Sequence, residues 1–449
     1  MDGTAVPAYV RDKSVSPMPT HSSDTIPATM PLGVTCPFCG LLCDDLAVGM
    51  QDGLARVEAG VCARAAALFP VPARQEALVE GRAVPWVEAA KAAARLLAGT
   101  RRPLIGGLGC DIAGQRAAVA LAERVDGALD HMHGRAQLRN QLPFQDGGWM
   151  ATTLSELRNR ADVVVLAGTL ASGQPRFFER CLAPSPLQSQ FGDLHRRILL
   201  VGSPPHLLKP AAWPAGADIA IDCPNTRLAE VFGLLRARLS ERRLDAETLY
   251  GIAMQQFDGM LDTMRSARYG VLVWDASELD FPHADLAVRA MIDLVRDLNR
   301  KTRWSVLPLG GADGGTSATQ VGTWLTGYPL RMRFEAGAAR DDPQQRTAEE
   351  LLEQGAVDGL VWISAFDPAR KPPLTRLPTI VLGRADMAPA PSTAVFIPVA
   401  VPGVQRAGLL SRMDQIVTLP LSAPAASALP SAAEVLARIM EELHDAASA

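Results

Sequence analysis

The chain contains few charged and few aromatic residues. Only 20% of its 449 residues are Asp, Glu, Lys or Arg and 5% are aromatic, whereas 48% are hydrophobic. So few charges leave much apolar surface, which favours burial against partner subunits. The formal net charge of -4 argues against the basic surface that a nucleic-acid-binding protein presents to phosphates. We therefore expect protein partners and no nucleic acid.

Long apolar runs are also missing. No uninterrupted apolar stretch approaches the roughly 18 residues that a membrane-spanning helix needs, and the first thirty residues lack the basic start and apolar core of a secretory signal. We expect a soluble, cytoplasmic protein that does not contact a membrane. Residues 1–34 are rich in Pro, Ser and Thr without clear periodicity, which predicts a mobile N-terminal arm or an arm ordered only by a partner.

Four of the seven cysteines lie close together in the sequence, as Cys36-Pro-Phe-Cys39-Gly-Leu-Leu-Cys43 followed by Cys62. The C-x2-C-x3-C spacing wraps one tight loop, so three thiolates can converge on a metal centre while Cys62 supplies the fourth. The spacing favours a [4Fe-4S] cluster. Zn²⁺, which prefers C-x2-C pairs, an empty vestigial site and four buried thiols are the alternatives. Residues 35–85 therefore form a predicted cysteine-rich metal-binding region, and a thiolate site fits a reducing compartment.

The other three cysteines stand alone in apolar or loop contexts, which is typical of small core residues or free thiols: Cys110, Cys181 and Cys223.

From residue 103 onward, short β-branched runs alternate with amphipathic stretches. This pattern predicts an α/β fold with doubly wound, mostly parallel sheets covered by helices. The predicted strands are 103–105, 161–167, 197–201, 270–274, 304–307, 357–363 and 379–382. The predicted helices are 87–97, 114–124, 226–239, 285–299, 347–354 and 432–445.

A chain of this length exceeds what one hydrophobic core supports, so several subdomains are expected. We predict a first α/β unit over 86–243, a second over 244–391, and a C-terminal cap or partner-facing segment over 392–449. Ligands of open α/β sheets bind beyond the carboxyl ends of the strands, so a crevice between the two units is the expected cofactor position.

Three further patterns are interpreted as structural. The run Gly310-Gly-Ala-Asp-Gly-Gly315 lacks the Lys-Ser/Thr ending of a phosphate-binding loop, so we interpret it as a flexible turn after a strand. Adjacent Asp44 and Asp45 are expected to cap the next turn rather than act as acid and base. The arginine pairs at 101–102, 196–197 and 242–243 are interpreted as solvated surface.

The segment from Cys36 to Asp45 resembles the iron–sulfur loop in the B subunit of formylmethanofuran dehydrogenase, a member of the molybdopterin oxidoreductase superfamily. Later blocks agree in order: Arg158-Asn-Arg-Ala-Asp-Val-Val-Val, Trp324-Leu-Thr-Gly-Tyr-Pro329, and Gly403 through Gly408 to Arg412-Met-Asp414. The resemblance spans residues 35 to about 419. It implies a multi-subdomain molybdopterin-oxidoreductase-like fold with an N-terminal metal loop.

In redox-active members, a cysteine or selenocysteine that ligates tungsten or molybdenum precedes a His-Gly pair. Here the matching stretch reads Asp130-His-Met132-His133-Gly134. A thioether is neutral and a far weaker ligand than a thiolate. The resemblance thus implies that Met132 and His133 are vestiges of an active site. No tungsten or molybdenum pterin is expected.

The turns that would face the cofactor also depart from the family pattern. They read Gly168-Thr-Leu-Ala171 and Ser364-Ala-Phe366-Asp-Pro368, and the second places a phenyl ring where a nucleotide needs room. We expect a closed crevice, since an empty one forfeits packing contacts along its walls. Its candidate fillers are Met132, Trp149 and Phe366.

A homologue without this redox centre resembles the B subunit of the formyltransferase/hydrolase complex of methylotrophic bacteria, which converts formyl-tetrahydromethanopterin to formate through a furan carrier. The resemblance implies a non-catalytic structural subunit. Its implied partners are a formyltransferase subunit, a zinc amidohydrolase subunit and a further scaffold subunit. The alternative is an active B subunit of formylmethanofuran dehydrogenase, a tungsten or molybdenum pterin iron–sulfur oxidoreductase. A free-standing iron–sulfur carrier would not need so long an α/β scaffold.

Overall fold

The structure is a computed structural model that describes residues 33–72, 76–183, 196–202, 219–242, 245–342 and 344–448. The arm predicted for residues 1–34 lies, except for its last two residues, outside the described residues. Residues 34–449 belong to one compact unit.

Within the described residues the chain forms twenty strands. They are β1 (Ala47–Gln51), β2 (Leu54–Ala59), β3 (Ala77–Val79), β4 (Arg82–Val84), β5 (Pro103–Gly109), β6 (Ala128–Leu129), β7 (Val163–Ala167), β8 (Arg197–Val201), β9 (Ile219–Ile221), β10 (Thr248–Leu249), β11 (Ile252–Ala253), β12 (Gly270–Asp275), β13 (Trp304–Leu309), β14 (Met332–Glu335), β15 (Ala338–Asp341), β16 (Gly359–Ser364), β17 (Thr379–Arg384), β18 (Thr393–Val399), β19 (Gly408–Ser411) and β20 (Thr418–Leu421).

The same residues form eleven α-helices and three shorter helical turns. The helices are α1 (Ala63–Leu68), α2 (Trp86–Ala98), α3 (Ile112–Arg124), α4 (Gly134–Gly147), α5 (Leu154–Arg160), α6 (Leu228–Leu239), α7 (Met254–Ser266), α8 (Ala284–Leu298), α9 (Gly315–Thr326), α10 (Ala348–Glu353) and α11 (Ala432–Ser448). The turns are a π-helical turn at Phe178–Leu182 and 3₁₀ turns at Asn225–Arg227 and Ala312–Gly314.

Nine strands form the larger sheet, in the order β15-β14-β6-β5-β16-β17-β18-β3-β4. The strands from β6 to β18 are parallel, and the outer strands join them antiparallel. β5, β16 and β17 are fully buried, which explains why they are nearly continuous apolar runs rather than alternating ones. Helices α2, α3 and α11 pack together over one face of this sheet.

Five parallel strands form the smaller sheet, in the order β13-β12-β7-β8-β9. Alternate side chains of its strands enter two different cores, as a period of two residues requires. Val163 and Val165 pack with helices α6, α7 and α8. Val164 and Leu166 face the other way, into the core that contains the cysteine loop. The predicted metal region therefore lies against the smaller sheet.

The two sheets are not built in chain order. The larger sheet takes strands from residues 77–129 and from 332–399, and the smaller sheet takes its strands from residues 163–309. The predicted division into units at 86–243 and 244–391 therefore does not match the sheets. The alternation of strand and helix patterns in the sequence predicts where the elements lie. It does not predict that the chain leaves the smaller sheet after β13 and re-enters the larger sheet with β14 and β16.

The C-terminal segment 392–449 also differs from the predicted cap. β18 pairs in parallel with β17, and α11 packs on α2 and α3. The abundance of alanine that suggested a cap is a packing feature here, because small side chains such as Ala90, Ala93 and Ala432 let helices approach closely in this core.

Within the described ranges, no helix is both long enough and apolar enough to cross a bilayer.

Candidate metal centre and the adjoining histidine cluster

The cysteine loop folds back on itself. The backbone N–H of Cys36 donates to the carbonyl of Cys43 (2.8 Å), and Leu42 N–H donates to the carbonyl of Cys39 (3.2 Å). Leu42 adopts a left-handed conformation with φ 44° to complete the turn. Cys36, Cys39 and Cys43 are only 4–5% exposed. The loop therefore places three thiols inside the core.

Cys62 reaches the same region from the start of α1. It is the N-cap residue of that helix, and its sulfur accepts a weak hydrogen bond from Ala65 N–H at 3.4 Å. Unlike the other three cysteines it is half-buried.

Cys36, Cys39 and Cys43 share one core, against which Cys62 packs. Burial raises the pKa of Cys36 well above its ordinary value, and charge on Cys39, Cys43 and Cys62 raises this pKa further. Burial and Cys39 raise the pKa of Cys43 to about 12, against the opposing charges of Arg180 and Arg176. Four thiolates in this space would repel one another, so holding them ionised requires a bound cation.

No group of three or more His, Cys, Asp or Glu side chains in the described part of the chain is placed to hold a metal ion. All seven cysteines are free thiols. A single Zn²⁺ needs each sulfur within about 2.3 Å of one point, whereas a multi-iron cluster binds each cysteine at a different iron and spaces the ligands more widely. The four-cysteine site stays a prediction.

Asp44 and Asp45 face arginines rather than capping a turn, which corrects the sequence interpretation. Asp45 receives two hydrogen bonds from Arg176 (2.7 and 2.8 Å), and Arg176 also binds Glu179. Arg180 pairs with both aspartates, at 2.7 and 2.6 Å. Since Glu179 and Arg180 belong to the π-helical turn, these ion pairs fasten the cysteine loop to the segment that follows β7. π-Helical turns are rare and often mark functional sites.

The glycine-rich loop at 310–315 lies between the cysteine loop and the histidines His131 and His133. A Cβ atom on Gly40 would lie 2.0 Å from the carbonyl oxygen of Gly310, so only glycine permits this approach of two backbones. On its far side, Gln115 Nε2 donates to the carbonyl of Gly314 at 3.0 Å. The segment expected to be a flexible turn is therefore held from both sides.

Asp313 of this loop is the centre of a buried ionic cluster that sequence reasoning missed. Its Oδ2 lies 2.8 Å from His133 Nε2 and 3.3 Å from Arg370 Nε, and its backbone oxygen lies 3.1 Å from His131 Nε2. The residue is 1% exposed and has φ 54°. A left-handed aspartate in a glycine-rich turn beyond a strand was the available signal.

Opposite charges govern the protonation of this cluster. Burial alone would raise the pKa of Asp313, but the hydrogen bond and charge of His133, with the charge of Arg370, hold it below its ordinary value. Burial, aided by His133, lowers the pKa of His131 to about 3. His131 is therefore neutral at pH 7, with Nε2–H donating to the carbonyl of Asp313 and Nδ1 accepting from His133 N–H at 3.1 Å.

Met132 lies beside this cluster but does not join it. Its side chain is half-buried in the core that contains Trp362, and its methyl carbon would lie 2.9 Å from a Cβ at Gly109. The thioether therefore packs against the end of β5.

The three residues predicted to fill the cofactor crevice, Met132, Trp149 and Phe366, lie in different parts of the molecule. Phe366 is fully buried in the same core as the cysteines. Trp149 instead packs on Phe144 (5.0 Å between ring centroids) and on Trp274 (5.7 Å). It follows the far end of α4, about 20 Å along the helix axis from Met132 at 1.5 Å per residue. Trp149 is therefore not a filler beside Met132.

The turn after β7 is closed by apolar side chains. A Cβ at Gly168 would lie 2.9 Å from methyl groups of Leu228 and of Leu279. Asn225 Nδ2 donates to the carbonyl of Gly168 at 3.0 Å. These contacts occupy the position from which a glycine turn would approach a phosphate.

Comparison with known proteins decides the family. A scan against protein-family models finds no match. The B subunit of the formyltransferase/hydrolase complex from Methylorubrum extorquens is 30% identical over 374 residues, which cover 82% of this chain and 97% of the relative. The chain belongs to the family of formyltransferase/hydrolase B subunits. The match confirms the resemblance drawn from the cysteine loop and the later blocks.

Members of the related dehydrogenase are more distant. The chain is 26% identical over 400 residues to the B subunit of tungsten-containing formylmethanofuran dehydrogenase 2 from Methanocaldococcus jannaschii, covering 85% of this chain and 91% of that protein. The corresponding protein of Methanococcus maripaludis is 25% identical over 402 residues, with the same coverage.

Solved structures agree with this assignment. A chain in the crystal structure of the formyltransferase/hydrolase complex from M. extorquens with methylofuran matches with a TM-score of 0.71 and 28% identity, covering 83% of this chain and all of that one. Acetylene hydratase from Pelobacter acetylenicus matches with a TM-score of 0.62 at 11% identity, covering 92% and 69%. The predicted α/β molybdopterin-oxidoreductase-like fold is confirmed.

Proposed function

We propose that this chain is the non-catalytic B subunit of a formyltransferase/hydrolase complex and carries no tungsten or molybdenum pterin. The observation that carries the proposal is the chemistry at residues 132 and 133. A thioether stands where the dehydrogenases need a thiolate, and it packs against Gly109. The neighbouring imidazole of His133 is paired with an internal carboxylate, that of Asp313. Neither group is then available to a high-valent metal.

The position of the cofactor-facing turns supports the same proposal. Leu228 and Leu279 pack directly on Gly168, and Phe366 is buried beside the cysteine core. Contacts with remote phosphates would supply much of the binding energy of a pterin dinucleotide, so closing these turns weakens its binding independently of Met132.

In this proposal the chemistry lies on other chains. A formyltransferase subunit and a zinc amidohydrolase subunit would convert formyl-tetrahydromethanopterin to formate in one-carbon metabolism, and this chain and a further scaffold subunit would hold them together. Exposed large apolar side chains favour such an assembly. Trp324, Leu325 and Ile416 are 64%, 52% and 65% exposed, and tryptophan is enriched in the energetic centres of protein interfaces.

At the four cysteines we infer a [4Fe-4S] cluster with a structural role. Cys36, Cys39, Cys43 and Cys62 would hold it, and the proposal is supported by the burial of the three loop cysteines in one core, against which Cys62 packs. The positive charges of Arg64 and Arg176 act on Cys39, and such charges would offset those of the thiolates. When bound, such a cluster can exchange single electrons, but without a pterin metal its effect here is to stabilise the loop.

Metal analysis of the complex, purified from its native host through a tag on this chain, tests the proposal. We expect the partner subunits to copurify, with iron and acid-labile sulfide and without tungsten or molybdenum beyond trace. Stoichiometric tungsten or molybdenum would overturn the proposal in favour of an active B subunit of formylmethanofuran dehydrogenase. One zinc per copy of this chain, after zinc on partner chains is subtracted, would show a zinc site in place of the cluster. Absence of both iron and zinc from this chain would show a vestigial site without metal.

A further inference from the structure

A cavity of about 270 Å³ lies beside the larger sheet, and the residues that line it include no cysteine and no histidine. It is bounded by β6, by β14 and by the segment from α10 to β16. Ala128, Leu351 and Val357, which belong to one core, give it an apolar wall. Its volume is just below the range of about 300–1,000 Å³ that is typical of small-molecule sites.

Arginine dominates the polar part of the lining. Five arginines line the cavity, against three carboxylates: Arg101, Arg102, Arg331, Arg333 and Arg346, with Asp126, Glu335 and Asp342. Two of these carboxylates are already paired, Asp342 with Arg346 at 2.9 Å and Glu335 with Arg333 at 3.0 Å. The lining therefore carries a net charge of +2, from five positive and three negative groups.

The pair Arg101 and Arg102 contributes to this surplus. Both residues are exposed, and their backbone N–H groups donate to the carboxylate of Asp358 at 2.7 and 2.9 Å, which fixes the backbone from which they extend. Among the described residues, no carboxylate forms a salt bridge with either guanidinium. The sequence interpretation of this pair was solvated surface, whereas the structure places it on the lining of a cavity.

Arg331 is the buried member of the set. It is 2% exposed, and its nearest carboxylate, Asp130 Oδ1, is 3.6 Å away. The Nε groups of Arg331 and Arg333 are both buried, and neither has a hydrogen-bond acceptor in the described part of the chain. Unsatisfied buried donors are uncommon in proteins, and a bound ion or water is one recognised partner for them. These two donors on arginines of one cavity favour an anion as its ligand, although Nη2 of Arg331 donates within the chain, to Gln141 Oε1 and to the carbonyl of Pro329 at 3.2 Å.

We propose that this cavity binds a small organic polyanion. Its phosphate or carboxylate groups would lie on Arg101, Arg102 and Arg333, and its neutral part would lie against Leu351 and Val357. The planar guanidinium group suits both kinds of oxyanion, because it donates two parallel hydrogen bonds. The site does not depend on the proposed function, since it shares none of its lining with the cysteines or with Met132.

Isothermal titration of the full chain in its purified complex, at low ionic strength, tests this site. The probes are pyrophosphate and citrate, which separate a phosphate site from a carboxylate site. The variants are Arg333→Gln and the double variant Arg101→Gln/Arg102→Gln, which spare buried Arg331 and so should fold. The matched control is Arg124→Gln, because Arg124 is exposed and does not line the cavity.

We expect saturable binding of at least one probe to the wild-type complex, weakened about tenfold or more by each lining variant and less than twofold by Arg124→Gln. A tenfold loss corresponds to one charge-assisted hydrogen bond of roughly 1.5 kcal/mol. Absence of saturable binding of both probes would overturn the proposal. Equal weakening by Arg333→Gln and Arg124→Gln would also overturn it, because binding would then follow overall charge rather than this cavity.

Discussion

A single buried carboxylate organises the two histidines that flank Met132. Asp313 accepts a hydrogen bond from His133 through Oδ2, which also forms an ion pair with Arg370, and its backbone oxygen accepts from His131. A buried aspartate with φ 54° is costly unless such partners compensate it. The cluster thus gives His133 a structural partner within the chain.

Restoring the missing thiolate should not restore a redox centre. Met132→Cys leaves the Asp313–His133 pair and the closed turn at Gly168 in place, so the groups that would anchor a pterin are still absent. We expect no bound tungsten or molybdenum and no viologen-coupled formate oxidation, while formyl hydrolysis by the same preparation continues. Formate oxidation together with bound metal would refute the scaffold proposal. Loss of hydrolysis alone would indicate a catalytic role near His133.

The neutral state of His131 makes stability depend on pH. Its pKa in the folded chain is about 3, against about 6.5 when unfolded. Between these values the unfolded chain binds a proton that the folded chain does not, so stability falls as the pH drops below about 6.5. At pH 5 the expected loss is about 2 kcal/mol, from 1.36 kcal/mol per pKa unit.

His131→Gln removes this proton uptake. The variant should be less stable than the wild type at pH 7.5 by about 1–3 kcal/mol, the cost of the lost hydrogen bonds. The difference should shrink by about 2 kcal/mol at pH 5.0. Urea unfolding at both values measures it. His283→Gln, at an exposed histidine, is the control for replacing an imidazole at the surface. A constant difference for His131→Gln would contradict a neutral buried imidazole.

At the scale of elements, local pattern predicted most strands and helices but not how they assemble. β8 occupies the predicted residues 197–201, and α11 begins at the predicted Ala432. Runs of buried apolar residues determine such elements locally. β18 was missed because its flanking prolines and alanines suggested an irregular tail, although Val395 to Val399 are buried in the larger sheet.

In the candidate site, too, the sequence predicts groups that are local in the chain but not those that the fold brings together. The spacing of the cysteines predicts a shared site from the sequence alone, because one short loop contains three of them. Asp313 and Arg370 are 57 residues apart, and both lie far in sequence from His133. Only the fold brings the three together. Arg176 is likewise distant in sequence from Asp45, so no local pattern predicted that ion pair.

The ion pairs between the cysteine loop and the π-helical turn should matter for stability. Arg176 is 7% exposed and binds Asp45 through both terminal nitrogens. Arg176→Gln should lower the free energy of unfolding by about 1–3 kcal/mol and speed modification of the loop cysteines by a thiol reagent after chelation. Arg82→Gln is the control, because Arg82 and Glu80 form an exposed pair at 3.7 Å that is worth at most about 1 kcal/mol. Equal effects of the two substitutions would show that the loop is not held by Arg176.

At the scale of the whole molecule, the cysteine region lies between the smaller sheet and the loops that follow the larger one. Its core includes Val164 and Val271 of the smaller sheet, Phe366 after β16, and Val401 and Leu410 of the C-terminal segment. A cluster bound there would stabilise contacts among several distant segments rather than one loop alone. Loss of one ligand should therefore affect assembly as well as local order.

Cys39→Ser tests this coupling. A serine hydroxyl does not replace the thiolate, so we expect loss of iron and of acid-labile sulfide, a lower melting temperature and reduced copurification of partner subunits. Cys223→Ser is the matched control, because Cys223 is equally buried but belongs to the core of the smaller sheet with α6, α7 and α8. Cys223→Ser should lower the stability of the chain only through the burial of a hydroxyl group, and it should leave iron content and assembly unchanged. An intact complex with unchanged melting temperature in Cys39→Ser would show that no structural metal is bound at these cysteines. Equal loss of assembly in both variants would mean that general destabilisation, not a metal, couples this region to the partners.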